Sequence, residues 1–98
     1  MTDFDISKAL AIAIGWRHLC YVITEDGERK VCVCITPNDS ISDEWRIFDY
    51  RDWDVIGPIA KRYGMVVDFY ANEAWRNGWS KGDTPQKAIA LAVIGAKT

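Results

Sequence analysis

The chain has 98 residues, of which 49% are hydrophobic and 27% are charged, a balance typical of a folded globular protein and not of a disordered one. A chain of this length builds a single core, so we predict one domain over residues 1–98. Twelve Lys and Arg against fourteen Asp and Glu give a net charge of −2, which gives no electrostatic basis for binding extended nucleic acid.

Apolar runs such as residues 9–15 are far below the roughly 20 residues needed to cross a bilayer. Asp3 and Asp5 stand where a signal peptide would carry positive charge. We therefore expect a cytoplasmic protein without a membrane partner.

The first predicted element is a helix over residues 5–14, whose apolar residues follow the i, i+3, i+4, i+7 spacing of a helix packed on one side. Asp3 or Asp5 can cap its start. Gly15 suits the left-handed position that ends a helix, and Trp16 beyond it can fold back on the last turn.

Two antiparallel strands should follow. Residues 19–24 and 30–36 are rich in β-branched and aromatic residues, and Asp26-Gly27 between them is the signal of a tight hairpin. Residues 44–48 predict a third, short strand, after a loop that begins at Pro37.

A second helix is predicted where apolar residues recur at helical spacing over residues 53–63, with Gly64 as its stop. Pro58 leaves two alternatives: the helix begins at about Asp54 with the proline near its first turn, or it is kinked there. Asp52 or Asp54 would be its cap.

The carboxyl-terminal part predicts a hairpin and a helix. Residues 65–71 and 74–79 flank a turn at Asn72-Glu73, and residues 65, 67 and 69 would form the apolar side of the first strand. The last helix starts with Asp83 or Thr84 as cap and Pro85 at the first helical position.

This last helix is apolar almost all round, which indicates deep packing. The order α-β-β-(β)-α-β-β-α predicts an α+β fold in which a small antiparallel sheet packs with three helices. The sequence leaves open whether the helices cover both sheet faces and make a three-layer sandwich.

Short motifs recur in the order of a known family. They are Gly15-Trp16, Asp52-Trp53, Gly57-Pro58-Ile59, Tyr63-Gly64-Met65, an isolated Trp75, and Thr84-Pro85 before an alanine-rich helix. This succession resembles the NinX-like and "phage ABA sandwich" families of small bacteriophage proteins. The resemblance covers most of the chain except residues 20–43, and it implies a phage or prophage origin, a small α/β sandwich, a place in the cytoplasm of the bacterial host and an accessory role.

Catalytic and metal chemistry have little support in the sequence. Three cysteines, Cys20, Cys32 and Cys34, do not suit a disulfide framework, and with His18 they lack the spacing of a zinc knuckle. A Cys20–His18 pair would share a strand face and is the one nucleophile–base arrangement available, but a lone histidine after a helix is more typical of a surface residue. We predict no enzyme activity, no metal and no cofactor.

The loop before the last helix is a candidate anion site. Lys81, Gly82 and Thr84 stand where free backbone N–H groups and the positive end of the helix dipole could hold a phosphate. The alternative, a well-capped helix that binds nothing, has more weight, because the loop lacks a complete phosphate-binding motif.

Five tryptophans are more than so small a core needs, because indole is bulky and its N–H requires a partner. By position, Trp16 and Trp53 look like core or staple residues. The others lie beside cations in a pattern typical of protein-binding surfaces and of base-stacking platforms. The predicted protein-binding residues are Trp45, Arg46, Trp75, Arg76 and Trp79.

The sequence therefore favours binding over catalysis. The leading hypothesis is a non-enzymatic phage accessory protein that binds a host protein and interferes with a host defence or another host process. The alternative is a small-molecule-binding protein, which binds or sequesters a nucleotide at an exposed tryptophan and the loop before the last helix. The apolar last helix and the sheet edges also leave a homodimer open.

Overall fold

The computed structural model describes residues 2–34, 45–75 and 78–97 and divides the chain into two compact units, Met1–Asp49 and Tyr50–Thr98. The predicted α+β class and the order of elements are confirmed. The strands form two three-stranded antiparallel sheets, one in each unit, where the sequence predicted one small sheet. The assignment of residues 1–98 to one domain stays a prediction.

The elements in chain order are α1 (Asp3–Ala13), β1 (Leu19–Ile23), β2 (Arg29–Cys34), β3 (Trp45–Phe48), α2 (Trp53–Arg62), β4 (Val66–Asp68), β5 (Glu73–Trp75), β6 (Trp79–Lys81) and α3 (Pro85–Lys97). Among the described residues, no helix is both long and apolar enough to span a membrane.

The first unit is built on β2, which lies between β1 and β3. Val31 and Val33 lie on one face of this central strand and Cys32 and Cys34 on the other, and all four are buried. Helix α1 packs against β2, and its Phe4 ring meets the ring of Tyr21 edge-on at 6.3 Å. Since Tyr21 pairs with Val31, α1 lies on the valine face of the sheet.

Helix α1 starts two residues earlier than predicted, and its cap is Thr2, not Asp3 or Asp5. The Thr2 hydroxyl accepts a hydrogen bond from the Asp5 amide at 3.1 Å, and the Asp5 carboxylate accepts one from the Thr2 amide at 3.2 Å. These two bonds form a capping box, in which Asp5 at the third helical position takes the place of the more usual Glu or Gln. The hydrogen bond from the Thr2 amide, followed by the Thr2 side chain, lowers the pKa of the Asp5 carboxyl. This contribution to stability is present above the ordinary Asp pKa and is lost as pH falls through the lowered value.

Both predicted glycine stops are confirmed, and they work in the same way. Gly15 and Gly64 have φ values of 104° and 60°, in the left-handed region that side chains avoid. After α1, the Trp16 amide donates to the Ala11 carbonyl at 3.0 Å, which is the backward-folded end expected there. After α2, the Met65 amide donates in the equivalent position to Ala60 at 3.1 Å.

Helix α2 begins at Trp53, and the Asp52 carboxylate caps it by accepting from the Asp54 amide at 2.9 Å. Pro58 therefore lies in the second turn of the helix, inside it. The predicted apolar stripe is only partly a core face: Ile56 and Ile59 are buried, whereas Trp53 is 45% exposed. Of the two interpretations of Trp53, core or staple residue, the core interpretation was wrong, because the first helical position lies at the solvent end of the stripe.

The second unit is built on β5, between β4 and β6. Helix α3 packs on all three strands and on α2, as its apolar composition predicted. Its residues Ala88, Ile89, Ala90 and Val93 have no exposed surface. Thr84 is its cap, since its hydroxyl accepts from the Lys87 amide at 3.2 Å, and Pro85 occupies the first helical position as predicted.

The hairpin of this unit differs from the prediction. The turn covers residues 69–72, because the Asp68 carboxylate accepts from the amides of Tyr70 at 3.0 Å and Ala71 at 3.1 Å and bends the chain there. Asn72 completes the turn with a φ of 53°. The expected strand over 65–71 is thus cut to Val66–Asp68, and Phe69, predicted on the apolar face, is 61% exposed.

Replacing Thr2 by Ala should lower the free energy of unfolding of the first unit by about 1 kcal/mol, because the Asp5 amide loses its acceptor at the helix start. Urea denaturation followed by circular dichroism measures the change. Thr2→Ser keeps a hydroxyl and should stay close to the original stability. Equal losses in the two variants would contradict the capping role.

Candidate functional site

The most distinctive surface of the described residues is an apolar row across the sheet of the second unit. In the strand register, Val66 of β4 is opposite Trp75 of β5, and Trp75 is opposite Trp79 of β6. Directly opposite residues point to the same face of a sheet, with Cβ atoms about 4.5–5.5 Å apart. The three side chains are 55%, 44% and 55% exposed. We call Val66, Trp75 and Trp79 the aromatic row.

The alternation of β5 explains why the aromatic row faces away from the core. Ala74, next to Trp75, has no exposed surface and is opposite Val67 and Ser80, which are half-buried. Since α3 packs on this sheet, the row centred on Ala74 is the one under the helix. Trp75 must then point to the other face.

A charged row runs beside the aromatic row on the same face. Asp68 is opposite Glu73, and Glu73 is opposite Lys81. Two residues along each strand separate these positions from the aromatic row, so the two rows are neighbours on one surface. Two carboxylates and one ammonium make this charged row net acidic.

Three further aromatic side chains of the second unit are exposed, and the sequence analysis did not select them as site residues. They are Trp53, Phe69 and Tyr70. Phe69 and Tyr70 lie in the turn that Asp68 bends, and Tyr70 is fully exposed. The Phe69 ring lies 5.9 Å from the ring of Trp53. An aspartate is a signal for such a turn, because its side chain can accept from the backbone amide two residues on, but the strand-like alternation through Phe69 masked it.

Of the predicted binding residues, the structure pairs Trp75 with Trp79 but separates Trp45 from Arg46. Both belong to β3 in the first unit and are exposed, yet consecutive strand residues point to opposite faces. Trp45, opposite Cys34 in the register, shares its face with the exposed Ile47 instead. Arg76 lies outside the described residues.

In the loop predicted to bind an anion, several of the groups already contact other parts of the second unit. A Cβ atom added at Gly82 would lie 2.8 Å from the Ala88 amide nitrogen, so the glycine sits directly against the first turn of α3. The Thr84 hydroxyl already accepts from the Lys87 amide, and the Lys87 ammonium pairs with Asp83 at 3.4 Å. These contacts favour the well-capped helix. Anion binding at Lys81, Gly82 and Thr84 stays a prediction.

The cysteines lie in the first unit, where Cys20 is exposed and Cys32 and Cys34 are buried. His18 is exposed before β1, and its carbonyl accepts from the Cys34 amide at 3.2 Å. Among the described residues, no three His, Cys, Asp or Glu side chains are arranged to hold a metal ion.

A cleft of about 140 Å³ lies between α1 and the β1–β2 hairpin, lined by Phe4, Lys8, Leu19, Cys20, Tyr21 and Val31. This volume is below the roughly 300–1,000 Å³ of pockets that enclose organic ligands. The cleft therefore gives no support to nucleotide binding at that position.

No protein-family model, curated protein or solved structure matches this chain. The resemblance to the NinX-like and phage ABA sandwich families therefore stays a prediction.

Gly82→Ala should lower the free energy of unfolding of the second unit by about 1–3 kcal/mol, because its Cβ would collide with the backbone of α3. Gly95→Ala is the matched control: it lies in α3 with nothing within 4 Å of its Cβ, and should leave stability unchanged or raise it. Urea denaturation compares the two. A Gly82→Ala protein as stable as the control would show that the loop does not pack this closely.

Replacing both Trp75 and Trp79 by Ala should lower the free energy of unfolding by no more than about 2 kcal/mol, because the side chains are about half exposed and lose mainly their contact with each other. Ile89→Ala, at a position with no exposed surface in the same unit, should cost about 2–5 kcal/mol. Thermal unfolding of the three proteins gives the comparison. A double variant as unstable as Ile89→Ala would place the tryptophans in the core.

Proposed function

We propose that this chain is a non-enzymatic phage accessory protein that binds a host protein through the aromatic row and thereby interferes with a host defence or another host process. The observation that carries the proposal is the cross-strand pair of Trp75 and Trp79, which lie side by side on a sheet face that α3 leaves uncovered. The phage origin and the host partner rest on the family resemblance alone.

The aromatic row has the chemistry of a protein-binding hot spot. Tryptophan is among the residues most enriched where truncation costs the most binding energy, because it buries a large area with few rotatable bonds. Backbone pairing of two strands holds the main chain of Trp75 and Trp79, so little backbone freedom remains to be lost on binding. Val66 extends the same apolar surface to the third strand.

The charged row indicates the kind of partner. Asp68 and Glu73 on the same face repel the phosphates of a nucleotide or nucleic acid and attract basic side chains. A fitting partner surface has an apolar centre for the tryptophans and a lysine or arginine at the edge that meets the carboxylates. This favours a protein partner over the alternative of nucleotide sequestration.

The test is a measurement of affinity with the captured partner. Tagged protein is used to isolate a stoichiometric partner from a bacterial lysate, and the purified partner is then titrated against Trp75→Ala/Trp79→Ala. We expect the dissociation constant to rise at least about 30-fold. This factor corresponds to about 2 kcal/mol of binding free energy, which is the loss expected for even one hot-spot residue. Trp53→Ala is the matched control, since Trp53 is equally exposed but lies on α2, and it should bind normally.

Retained affinity in a folded double variant would refute the aromatic row as the binding surface. Equal losses in Trp53→Ala would point to the Trp53 and Phe69 rings instead. A bound nucleotide without any protein would reject the protein-binding function in favour of sequestration.

A further inference from the structure

Two cysteines of the first unit face each other across neighbouring strands. Cys20 of β1 is directly opposite Cys32 of β2 in the antiparallel register, so both side chains project from the same face of the sheet. The backbone bonds from Thr24 to Glu28 and from Cys34 to His18 mark even-numbered β1 residues as hydrogen-bonded pairs. Cys20 and Cys32 share that parity, and such pairs have Cα atoms about 5.5 Å apart.

This Cα separation lies within the range found for disulfide bonds. Bridged cysteines have Cα atoms usually about 4.4–6.8 Å apart, most often about 5.5–6 Å, with side chains directed toward each other. The Cys20 thiol is close enough to contribute to the raised pKa of the Cys32 thiol, after burial as the main cause. The strands need no shift in register. The Cβ atoms of a hydrogen-bonded pair lie near the wide end of the cross-strand range, about 5.5 Å, so closing the bond draws them together by about 1 Å, to the roughly 3.5–4.5 Å of a disulfide.

We propose that Cys20 and Cys32 form a redox-responsive pair, which closes an intrachain disulfide bond by exchange with a low-molecular-weight disulfide such as oxidised glutathione. This is a modification site in the first unit, separate from the aromatic row of the second unit. It does not depend on the proposed binding function.

The reaction proceeds by two exchanges. The Cys20 thiolate attacks one sulfur of oxidised glutathione, which forms a mixed disulfide and releases one glutathione thiolate. The Cys32 thiolate then attacks the Cys20 sulfur, forms the intrachain bond and releases the second glutathione. Two protein thiols are oxidised, one glutathione disulfide is reduced to two thiols, and the two protons pass to the released thiolates.

Exposure sets the order of these steps. Cys20 is exposed and reaches a dissolved disulfide, whereas Cys32 is only 4% exposed and does not. Burial also raises the pKa of the Cys32 thiol, with a smaller contribution from neighbouring Cys20, so Cys32 is a poor first nucleophile. Once Cys20 carries the glutathionyl group, Cys32 has its target directly across the strand pair.

The third cysteine provides a control within the same strand. Cys34 is buried on the same face as Cys32, but it is opposite His18, two residues along from the Cys20 position. It shares the burial and the strand of Cys32 and lacks its position opposite Cys20.

The experiment incubates the full chain with oxidised glutathione and follows it by intact mass spectrometry and disulfide mapping. The wild-type protein and Cys34→Ser should both lose the mass of two hydrogen atoms and yield a Cys20–Cys32 linked peptide. Cys20→Ser should form no intrachain bond. Cys32→Ala should stop at the mixed disulfide on Cys20, and circular dichroism of each variant shows that it is folded.

Three results would overturn the proposal. One is a wild-type protein that remains reduced or stops at the mixed disulfide. Another is a bond between Cys20 and Cys34, or between two chains, as the main product. The last is an intrachain bond that forms only in urea, since the native register would then not be what brings the thiols together. If Cys32→Ala does not fold, Cys20→Ser and Cys34→Ser, together with the mapped wild-type bond, decide the question.

Discussion

The close packing of α3 on the central strand β5 determines what the second unit presents to solvent. Ala74 on the strand and the buried alanines of α3 are small, which lets helix and sheet approach closely and expels water from between them. Once Ala74 lies under the helix, the pleat of the strand directs its neighbour Trp75 to the opposite face. The register with β6 then places Trp79 beside it. The exposed tryptophans thus follow from the burial of an alanine.

The alternation of side chains between the two faces of a strand also determines the arrangement of the first unit, with a different result. Val31 and Val33 of β2 face α1, so Cys32 and Cys34 lie on the other side of the sheet. On that side, Cys32 is opposite Cys20 of β1, which is exposed whereas Cys32 is buried. One unit therefore presents large apolar side chains suited to recognition, and the other brings together two thiols, the only side chains that can form a reversible covalent bond with each other.

Local signals in the sequence predicted the helices well and the second hairpin poorly. Gly15 and Gly64 end their helices because the left-handed conformation strongly favours glycine, and Thr84-Pro85 opens α3, so each boundary depends on adjacent residues. The turn at 69–72 instead results from competition between strand alternation and the Asp68 carboxylate, which the alternation concealed. Composition and neighbouring residues could suggest Trp75 and Trp79 as site residues. Their pairing depends on strand register, which composition does not encode.

An exposed apolar row in a small open sheet carries a risk of aggregation. The features of the sheet that limit this risk also favour a partner that binds through its side chains and not through backbone pairing. The two edge strands, β4 and β6, have only three residues each, which gives a foreign strand little backbone to pair with. Asp68 and Lys81 place charges at those edges beside the apolar row. Pairing by strand addition is therefore disfavoured, while the face that carries Trp75 and Trp79 stays open. A partner that covers this face must do so with its own side chains, apolar at the centre and basic at the margin, which is the arrangement that the proposed function requires.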